Sequence, residues 1–256
     1  MLSPASGIFL FDKPAGITSH DAVGLLRRAL GHRHIGHTGT LDPMATGLLV
    51  MLAGAATKLQ SGLQGCSKTY TGRIKLGETT DTWDAEGEVL SSADPASVTR
   101  EAVAAAIPAF EGKMIQQVPP YSAVKIGGRQ LYKMARRKEA MPVVKREVEL
   151  HWLSWDWQPP FIDFGIECAG GTYIRSVAHE LGAALGCGGH LAALRRTRVA
   201  GWRVEDAVTA DFLRSAPSEA VVSRLLPAEK GTGTPCGMVS PADTPCGMVS
   251  PAEGRL

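Results

Sequence analysis

The 256-residue sequence contains no hydrophobic run long enough to cross a bilayer. Its longest apolar stretch, residues 47–56, is far shorter than the roughly 20 residues that a transmembrane helix needs. The first residues, MLSPASGIFLFDKP, lack the basic start and the cleavage site of a signal peptide. Both features predict a cytoplasmic protein with no membrane association.

The sequence also lacks the fingerprints of several cofactor and metal sites. Its five cysteines are odd in number and form no CxxC pair, which argues against a zinc ribbon or a disulfide framework and favours reduced thiols. Neither a P-loop nor a GxGxxG turn is present, so we expect no nucleotide cofactor.

Charge is unevenly distributed along the chain, although the net charge is only +2. Residues 113–146 carry nine Lys or Arg against one Asp or Glu, whereas residues 76–112 carry one against eight. Such runs are often solvated faces that cancel in three dimensions. The basic run also holds Tyr121 and Tyr132, however, and this combination favours an arm that contacts nucleic acid phosphates.

The length of 256 residues predicts one large domain or one domain plus additions. Hydrophobic periodicity predicts both strands and helices, as in an α+β protein. The strands are expected near residues 7–11, 68–77, 143–157 and 161–168. Helices are expected from Thr18 to Leu30, over residues 94–112 and 129–138, and from Ile174 onward.

The most unusual stretch is GHTGTLDPMATGLLV, residues 36–50, which contains the single carboxylate of Asp42. Pro43 restricts its own backbone and favours an extended conformation at Asp42. A lone acid on a rigid turn beside a buried segment is a candidate nucleophile or base. The same Asp-Pro pair is also the pattern of a helix N-cap followed by the first helical residue. The residues alone favour the cap and leave the nucleophile as the alternative.

A metal site near Asp42 is the second question raised by this stretch. His32, His34 and His37 have a spacing at which a pair could share a metal ion with Asp42. Glycines at positions 31 and 36 argue against the continuous helix that this would require, and no second ligand cluster is present. We therefore predict no metal.

GHTGTLDPMATGLL closely resembles the signature of the TruB family of tRNA pseudouridine synthases. The resemblance continues in family order over about residues 7–200, through the segments DKPAGITSHD, KTYTG, TDTWDAEG, YSAVKIGGRQLY and GTYIRSVAHELG. It implies an α+β pseudouridine synthase fold, with a mixed, largely antiparallel sheet flanked by helices. It also implies a catalytic domain over residues 1–214 that contains a basic, RNA-gripping insertion at about residues 113–146.

The resemblance assigns roles to individual residues. The catalytic set would be Asp42 as nucleophile, Arg175 as its partner and Tyr70 as an aromatic stacked on the target base. His37, Tyr173 and Leu194 would contact the substrate, Asp84 would hold Arg175, and Lys13 and Lys125 would contact RNA. The implied reaction is isomerisation of uridine 55 in the T-loop of tRNA by base flipping. No cofactor is needed, and we expect a monomer without a protein partner.

After about residue 214 the resemblance fades. The chain ends with TPCGMVSPAD followed at once by TPCGMVSPAE, so we expect residues 215–256 to be a disordered tail without the usual C-terminal RNA-binding domain. Two other function classes remain for comparison: a non-catalytic RNA-binding or tRNA-folding protein, and a metal-dependent hydrolase.

Overall fold

A computed structural model describes residues 5–232, except for the side chains of residues 230 and 232. The tandem ten-residue repeat lies outside these residues, so the expectation that it is disordered stays a prediction. Among the described residues, no helix has the length and apolar character needed to cross a membrane.

Strands make up most of the described fold. Their bounds are β1 (Gly7–Lys13), β2 (Ile35–His37), β3 (Thr46–Ala53), β4 (Lys68–Leu76), β5 (Glu78–Thr80), β6 (Val89–Ser92), β7 (Gly112–Gln117), β8 (Lys125–Ile126), β9 (Arg129–Gln130), β10 (Lys145–Gln158), β11 (Phe161–Cys168), β12 (Gly189–Val199) and β13 (Trp202–Arg203).

One large sheet organises the molecule. Its strand order is β1-β3-β12-β4-β11-β10-β7, with β2 paired to β3 and β13 paired to β12. The pairing of β3 with β12 is parallel, and the other pairings in this sheet are antiparallel. The α+β class and the mixed, largely antiparallel sheet predicted from the family resemblance are thus confirmed.

The helices are short and flank this sheet. Their bounds are α1 (Ser19–Leu30), α2 (Gln60–Gln64), α3 (Arg100–Ala106), α4 (Leu131–Arg136), α5 (Ile174–Ala184), α6 (Ala210–Ser215), α7 (Ser218–Val222) and α8 (Glu229–Thr232). Short 3-10 helices cover Gly54–Leu59, Pro95–Ser97, Ile107–Phe110 and Val204–Asp206.

Local sequence signals explain several helix boundaries. Thr18 caps α1 in a capping box with Asp21, and Gly31 ends the helix in the left-handed conformation. The single helix predicted over residues 94–112 is wrong, because Thr99 starts a new N-cap between the Pro95–Ser97 turn and α3. The helix predicted over residues 129–138 shrinks to α4.

The sheet buries apolar side chains on both faces. Successive residues of a strand point to opposite faces, so Phe9 and Leu49 belong to one core cluster whereas Ile8 and Leu48 belong to the other. Helices α1 and α5 cover the larger cluster. The central strands are therefore held from both sides and form a rigid platform.

Two predicted domain boundaries are wrong. The basic run does not form an insertion along its whole length, because Lys113 lies in β7 and Lys145 lies in β10, both within the main sheet. Residues after 214 are also part of the fold: α7 buries Val221, and Leu226 exchanges two backbone hydrogen bonds with Ile8 of β1. Residues 215–232 are therefore not a disordered tail.

Three cysteines lie among the described residues, and all three are buried: Cys66, Cys168 and Cys187. Cys168 and Cys187 are free thiols, and burial raises the pKa of Cys168 to about 12.

The parallel contact between β3 and β12 predicts that Gly47 cannot be replaced. Its φ is +100°, and a Cβ would lie 2.2 Å from the carbonyl oxygen of Arg196. Gly47→Ala should lower the free energy of unfolding by about 2–4 kcal/mol through strain and overpacking. Urea denaturation measures this change.

The matched control is Gly24→Ala, inside α1. The nearest atom to its added Cβ lies 3.8 Å away, so the change should be neutral or stabilising by up to about 1 kcal/mol. Equal effects of the two substitutions would show that the β3–β12 contact does not need a glycine.

Candidate active site

Asp42 lies on the turn between β2 and β3, and no helix starts there. The helix-cap interpretation is therefore wrong. Ser19 holds the residue before it, because its hydroxyl donates to the Leu41 carbonyl at 3.1 Å and accepts from the Leu41 amide at 2.9 Å. The Gly16 amide donates to the Pro43 carbonyl at 2.9 Å. Asp42 thus sits on a turn fixed on both sides.

Lys13 also fixes the Asp42 turn, because its side chain bonds to the Pro43 carbonyl. This position corrects the expectation that Lys13 contacts RNA. Its side chain is completely buried at the end of β1, and its ammonium donates to the carbonyls of Pro14, Ile17 and Pro43 at 2.9, 2.8 and 3.2 Å. All three N–H groups are used, so none is left for a phosphate. Burial lowers the pKa of Lys13 to about 8.

Arg175 forms the predicted pair with Asp42. It lies in the first turn of α5 and only 5% of its side chain is exposed. Its Nε is 3.0 Å from Asp42 Oδ2, and its Nη2 donates to Asp42 Oδ1 at 3.3 Å. The Nη2 hydrogen bond and the charge of the nearby Nε together orient the carboxylate.

The other contacts of Arg175 come from two further segments. Nη1 donates to the Thr82 carbonyl at 2.9 Å and Nη2 donates to the Tyr121 carbonyl at 3.0 Å. Asp84 Oδ2 lies 3.6 Å from Nε, as the family resemblance implied. Asp84 is itself buried and is held by the Thr82 hydroxyl at 2.6 Å and by the Glu86 amide at 3.0 Å.

Opposing effects act on the acidity of Asp42. Its side chain is 35% exposed toward the cleft, but protein encloses it on the other sides. This burial raises the pKa of Asp42, and the charge of Arg175 opposes the shift without cancelling it. Asp84 adds a further upward contribution. Arg175 therefore counteracts the burial of Asp42, but it does not depress the pKa below its usual value as a simple ion-pair argument would suggest.

A cleft with a volume of about 380 Å³ opens over Asp42 and Arg175. This volume falls within the range typical of small-molecule sites. Three of the predicted substrate-contacting residues, Tyr70, Tyr173 and Leu194, line the cleft. Burial raises the pKa of the Tyr70 hydroxyl, which is therefore neutral at physiological pH.

Tyr173 stands at the N-cap of α5, just before Arg175. The buried side chain of Gln116 fixes its backbone with two hydrogen bonds, at 2.8 and 3.0 Å. The guanidinium carbon of Arg146 lies 5.4 Å from the centroid of the Tyr173 ring. Tyr173 and Arg146 thus form one wall of the cleft.

The remaining predicted site residues lie outside the lining of this cleft. His37 is half-buried on β2, and burial lowers its pKa. Its Nδ1 has no hydrogen-bond partner among residues 5–232. Lys125 is exposed on β8, where it lines a separate basic cleft of about 280 Å³ together with Arg129, Lys133 and Arg137.

Three cationic cleft residues were not singled out from the sequence: Arg146, Lys68 and Arg196. The last two follow from strand geometry. A strand repeats its face every two residues, so Lys68 shares a face with Tyr70 on β4 and Arg196 shares one with Leu194 on β12. The alternation around the two residues that were named could have identified both. Among the described residues, no group of three His, Cys, Asp or Glu could hold a metal ion.

Comparison with known families and proteins agrees with this geometry. The family described as "TruB family pseudouridylate synthase (N terminal domain)" matches residues 27–174. The family described as "tRNA pseudouridylate synthase B C-terminal domain" matches residues 175–231. The second match extends past residue 214, where we expected the resemblance to end, and that expectation is wrong.

Curated relatives named tRNA pseudouridine synthase B are similar over most of the chain. The protein from Opitutus terrae is 44% identical over 222 residues, which cover 86% of this chain and 92% of that protein. The protein from Arthrobacter sp. (strain FB24) is 48% identical over 216 residues, which cover 81% of this chain and 70% of that protein.

Solved structures share the fold. A chain in the crystal structure of a Cbf5–Nop10–Gar1 complex has a TM-score of 0.65 at 28% identity, over 88% of this chain and 61% of that chain. A chain in the archaeal box H/ACA sRNP Nop10–Cbf5 complex has a TM-score of 0.64 at 26% identity, over 90% and 62%. This chain spans about three fifths of their length. It belongs to the TruB family of pseudouridine synthases, isomerases that convert uridine in tRNA to pseudouridine.

Proposed function

We propose that this protein isomerises uridine 55 in the T-loop of tRNA, with Asp42 as the nucleophile. The observation that carries the proposal is the contact between Asp42 and the buried Arg175, at 3.0 Å, in a cleft lined by Tyr70. The contact fixes the carboxylate before the RNA arrives, so little orientational freedom is lost during the reaction.

The reaction resembles glycoside chemistry. The bond between ribose C1′ and uracil N1 breaks, and a bond between C1′ and uracil C5 replaces it. A carboxylate assists such a step by attacking the sugar carbon or by stabilising its positive charge. C5 loses a proton and N1 gains one, so the product has the formula of the substrate and no cofactor is consumed.

The target uridine must leave the T-loop stack to reach Asp42. Stacking lost in the RNA is replaced by aromatic and apolar side chains in the pocket, and Tyr70, Tyr173 and Leu194 provide these surfaces. His37 is assigned to the RNA strand beside the flipped base. In this proposal Lys13 and Asp84 act indirectly, because they hold the Asp42 turn and Arg175.

The T-arm is gripped by the part of the basic segment that lies outside the main sheet. This part consists of the β8–β9 hairpin, α4 and its C-cap, and it carries Lys125, Arg129, Lys133, Arg136 and Arg137. The Tyr121 carbonyl at its base accepts a hydrogen bond from Arg175. Contact with the T-arm is thereby linked directly to the catalytic pair.

We also propose that the protein acts in the cytoplasm as a monomer, without a protein partner. Light scattering of the purified protein, alone and with tRNA, tests the assembly state. The alternative of a non-catalytic RNA-binding protein is not favoured, because the chain belongs to a family of isomerases and such a protein would have no use for the oriented carboxylate of Asp42.

Asp42→Asn tests the nucleophile. The amide keeps the shape of the side chain but cannot attack the sugar, so pseudouridine formation in a tRNA transcript should fall by roughly 10⁴-fold or more. Affinity for tRNA should stay within about threefold. Chemical labelling and primer extension locate the product, and filter binding gives the affinity.

The control for this substitution is Asp163→Asn, which removes a partly exposed carboxylate paired with Arg73 on the sheet. It should retain the wild-type rate. A normal rate in Asp42→Asn, or a product outside the T-loop, would contradict the proposal.

The opposing effects on Asp42 predict a titration. Burial places its pKa above the ordinary value of 3.8, so the carboxylate is protonated at a higher pH than an exposed Asp. Arg175→Gln removes the downward contribution and should raise the pKa further, which extends the acidic loss of activity toward neutral pH.

Carbon-13 NMR titration of the Asp42 carboxyl measures this pKa without requiring activity. Asp42→Asn identifies the resonance by its loss. A pKa at or below 3.8 in the wild type, or an unchanged value in Arg175→Gln, would disprove the electrostatic balance described here.

Lys125→Gln tests the basic arm. If Lys125 contacts a phosphate, the affinity for tRNA should fall about equally across tRNA sequences, and the slope of log K against log salt should decrease by about 1. Fluorescence anisotropy at several salt concentrations measures both. Lys58→Gln, on the 3-10 helix after β3, serves as the control. Identical salt slopes in all three proteins would exclude a phosphate contact at Lys125.

A further inference from the structure

Two buried cations share the cleft with Asp42 and are not explained by its pairing with Arg175. Lys68 on β4 is 6% exposed and Arg196 on β12 is 2% exposed, yet both line the cleft. Arg196 stands opposite Tyr70 in the pairing of β12 with β4. Both cations are therefore positioned by the same central strands as Tyr70.

The hydrogen-bond partners of these cations are neutral groups: the Tyr70 hydroxyl bonds to the Arg196 side chain, and the other partners are backbone carbonyls. Lys68 Nζ donates to the carbonyls of Gln64 and Cys66 at 2.7 and 2.5 Å. Arg196 Nε donates to the Leu48 carbonyl at 2.7 Å, and its Nη2 donates to the Gly39 carbonyl at 3.1 Å.

Neither cation forms an ion pair with a carboxylate of residues 5–232. Their neighbours differ in this respect: Arg175 is paired with Asp42 and Asp84, and Arg195, the residue before Arg196, is paired with Asp12 at 2.8 Å. Burying a charge without a counterion is costly. Accordingly, burial and the charge of Arg196 lower the pKa of Lys68 to about 8.

Such an arrangement suits an anion that is present only during the reaction. A permanent carboxylate would neutralise the cations, whereas a transient negative charge would be stabilised at the moment it forms. Two anions could meet this description: a phosphate of the RNA strand and the uracil base itself. A phosphate stays with the strand at the mouth of the cleft, whereas the base enters the cleft and stacks beside Tyr70.

We propose that Lys68 and Arg196 stabilise the uracil anion that forms when the glycosidic bond breaks. The electron pair of the C1′–N1 bond passes to the base, and the charge spreads over N1, O2 and O4. C5 then returns an electron pair to C1′, the C5 proton leaves and N1 takes up a proton. This inference rests on the proposed function, because it requires uridine as the substrate.

In this proposal, two separate groups of charged side chains stabilise the two charges that develop in the substrate. Asp42 acts on the sugar, where positive charge develops, and Lys68 and Arg196 act on the base, where negative charge develops. The register of β4 and β12 places Tyr70 directly beside Arg196, so a base stacked on this ring lies next to the cationic group.

Lys68→Met tests the proposal, because it keeps most of the side-chain stem and removes the charge. The single-turnover rate of pseudouridine formation should fall roughly 100-fold, the scale of losing one preorganised donor to a developing anion. The dissociation constant for tRNA and its salt dependence should stay within twofold of wild type.

Matched variants separate this role from general effects. Arg195→Met removes the neighbouring charge, which lies outside the cleft lining, and should change the rate less than threefold. Arg196→Lys keeps a charge and should lose less activity than Arg196→Met. If Lys68→Met does not fold, Lys68→Gln gives the same comparison, because it retains a donor for the carbonyls of Gln64 and Cys66.

A tRNA carrying 5-fluorouridine at position 55 provides a readout that a structural role would not change. Fluorine makes the uracil ring more acidic, so its anion leaves with less assistance. Because C5 of this base carries fluorine and has no proton to lose, the reaction stops once the C5–C1′ bond has formed. The Lys68→Met defect in consumption of 5-fluorouridine, followed by nuclease digestion and chromatography, should be at least tenfold smaller than its defect with uridine.

Several results would overturn the inference. Equal defects with uridine and 5-fluorouridine would indicate a structural role. A tenfold weaker tRNA affinity with a smaller salt slope would indicate a phosphate contact instead. An equal loss in Arg195→Met would indicate nonspecific electrostatics. An inactive wild-type protein would overturn the proposed function itself, and this inference with it.

Discussion

The buried guanidinium of Arg175 is the constraint on which the site depends. A buried cation must be matched by partners, and Arg175 takes them from the Asp42 turn, from the Thr82–Asp84 loop and from Tyr121 at the start of the basic segment. Loss of one partner of such a group costs about 3–5 kcal/mol. The carboxylate proposed as the nucleophile, the acidic loop and the arm proposed to bind RNA are therefore held in one arrangement by a single side chain.

The central sheet supplies the rigidity that this arrangement needs. β4 and β12 pair over their whole length, and both faces of the sheet are packed, so side chains that project from these strands have little freedom. The Asp42 turn is joined to this platform through β3, whose Gly47 allows close parallel contact with β12. Residues far apart in the chain thus converge on one cleft with fixed spacing, which is what a reaction at a single sugar carbon requires.

Much of the site could be predicted because its residues lie in recognisable local motifs. Asp42, Tyr70, Arg175 and Leu194 were named from such motifs, and each one lies at the cleft. Lys13 was misjudged because the chain shows a lysine after a strand but not the three carbonyls that fold around it. Two of those carbonyls belong to the turn that follows Lys13, and the third, that of Pro43, lies 30 residues further along the chain. Lys68 and Arg196 differ from Lys13, because each shares a strand face with a residue that the motifs indicate, Tyr70 or Leu194. Only the meeting of the two strands at one cleft requires the strand register.

The electrostatics of Asp42 show why burial and pairing are combined. A carboxylate with a depressed pKa is a weak base and a weak nucleophile, whereas a buried one without a cation would be protonated and inactive. Arg175 opposes the effect of burial without cancelling it, so the carboxylate remains basic and oriented. The same balance fails at Lys13, where burial without a carboxylate in contact lowers the pKa to about 8 and leaves a purely positioning group. The chemistry of each buried charge in this site therefore follows from whether its partner is an opposite charge, a neutral carbonyl or the substrate itself.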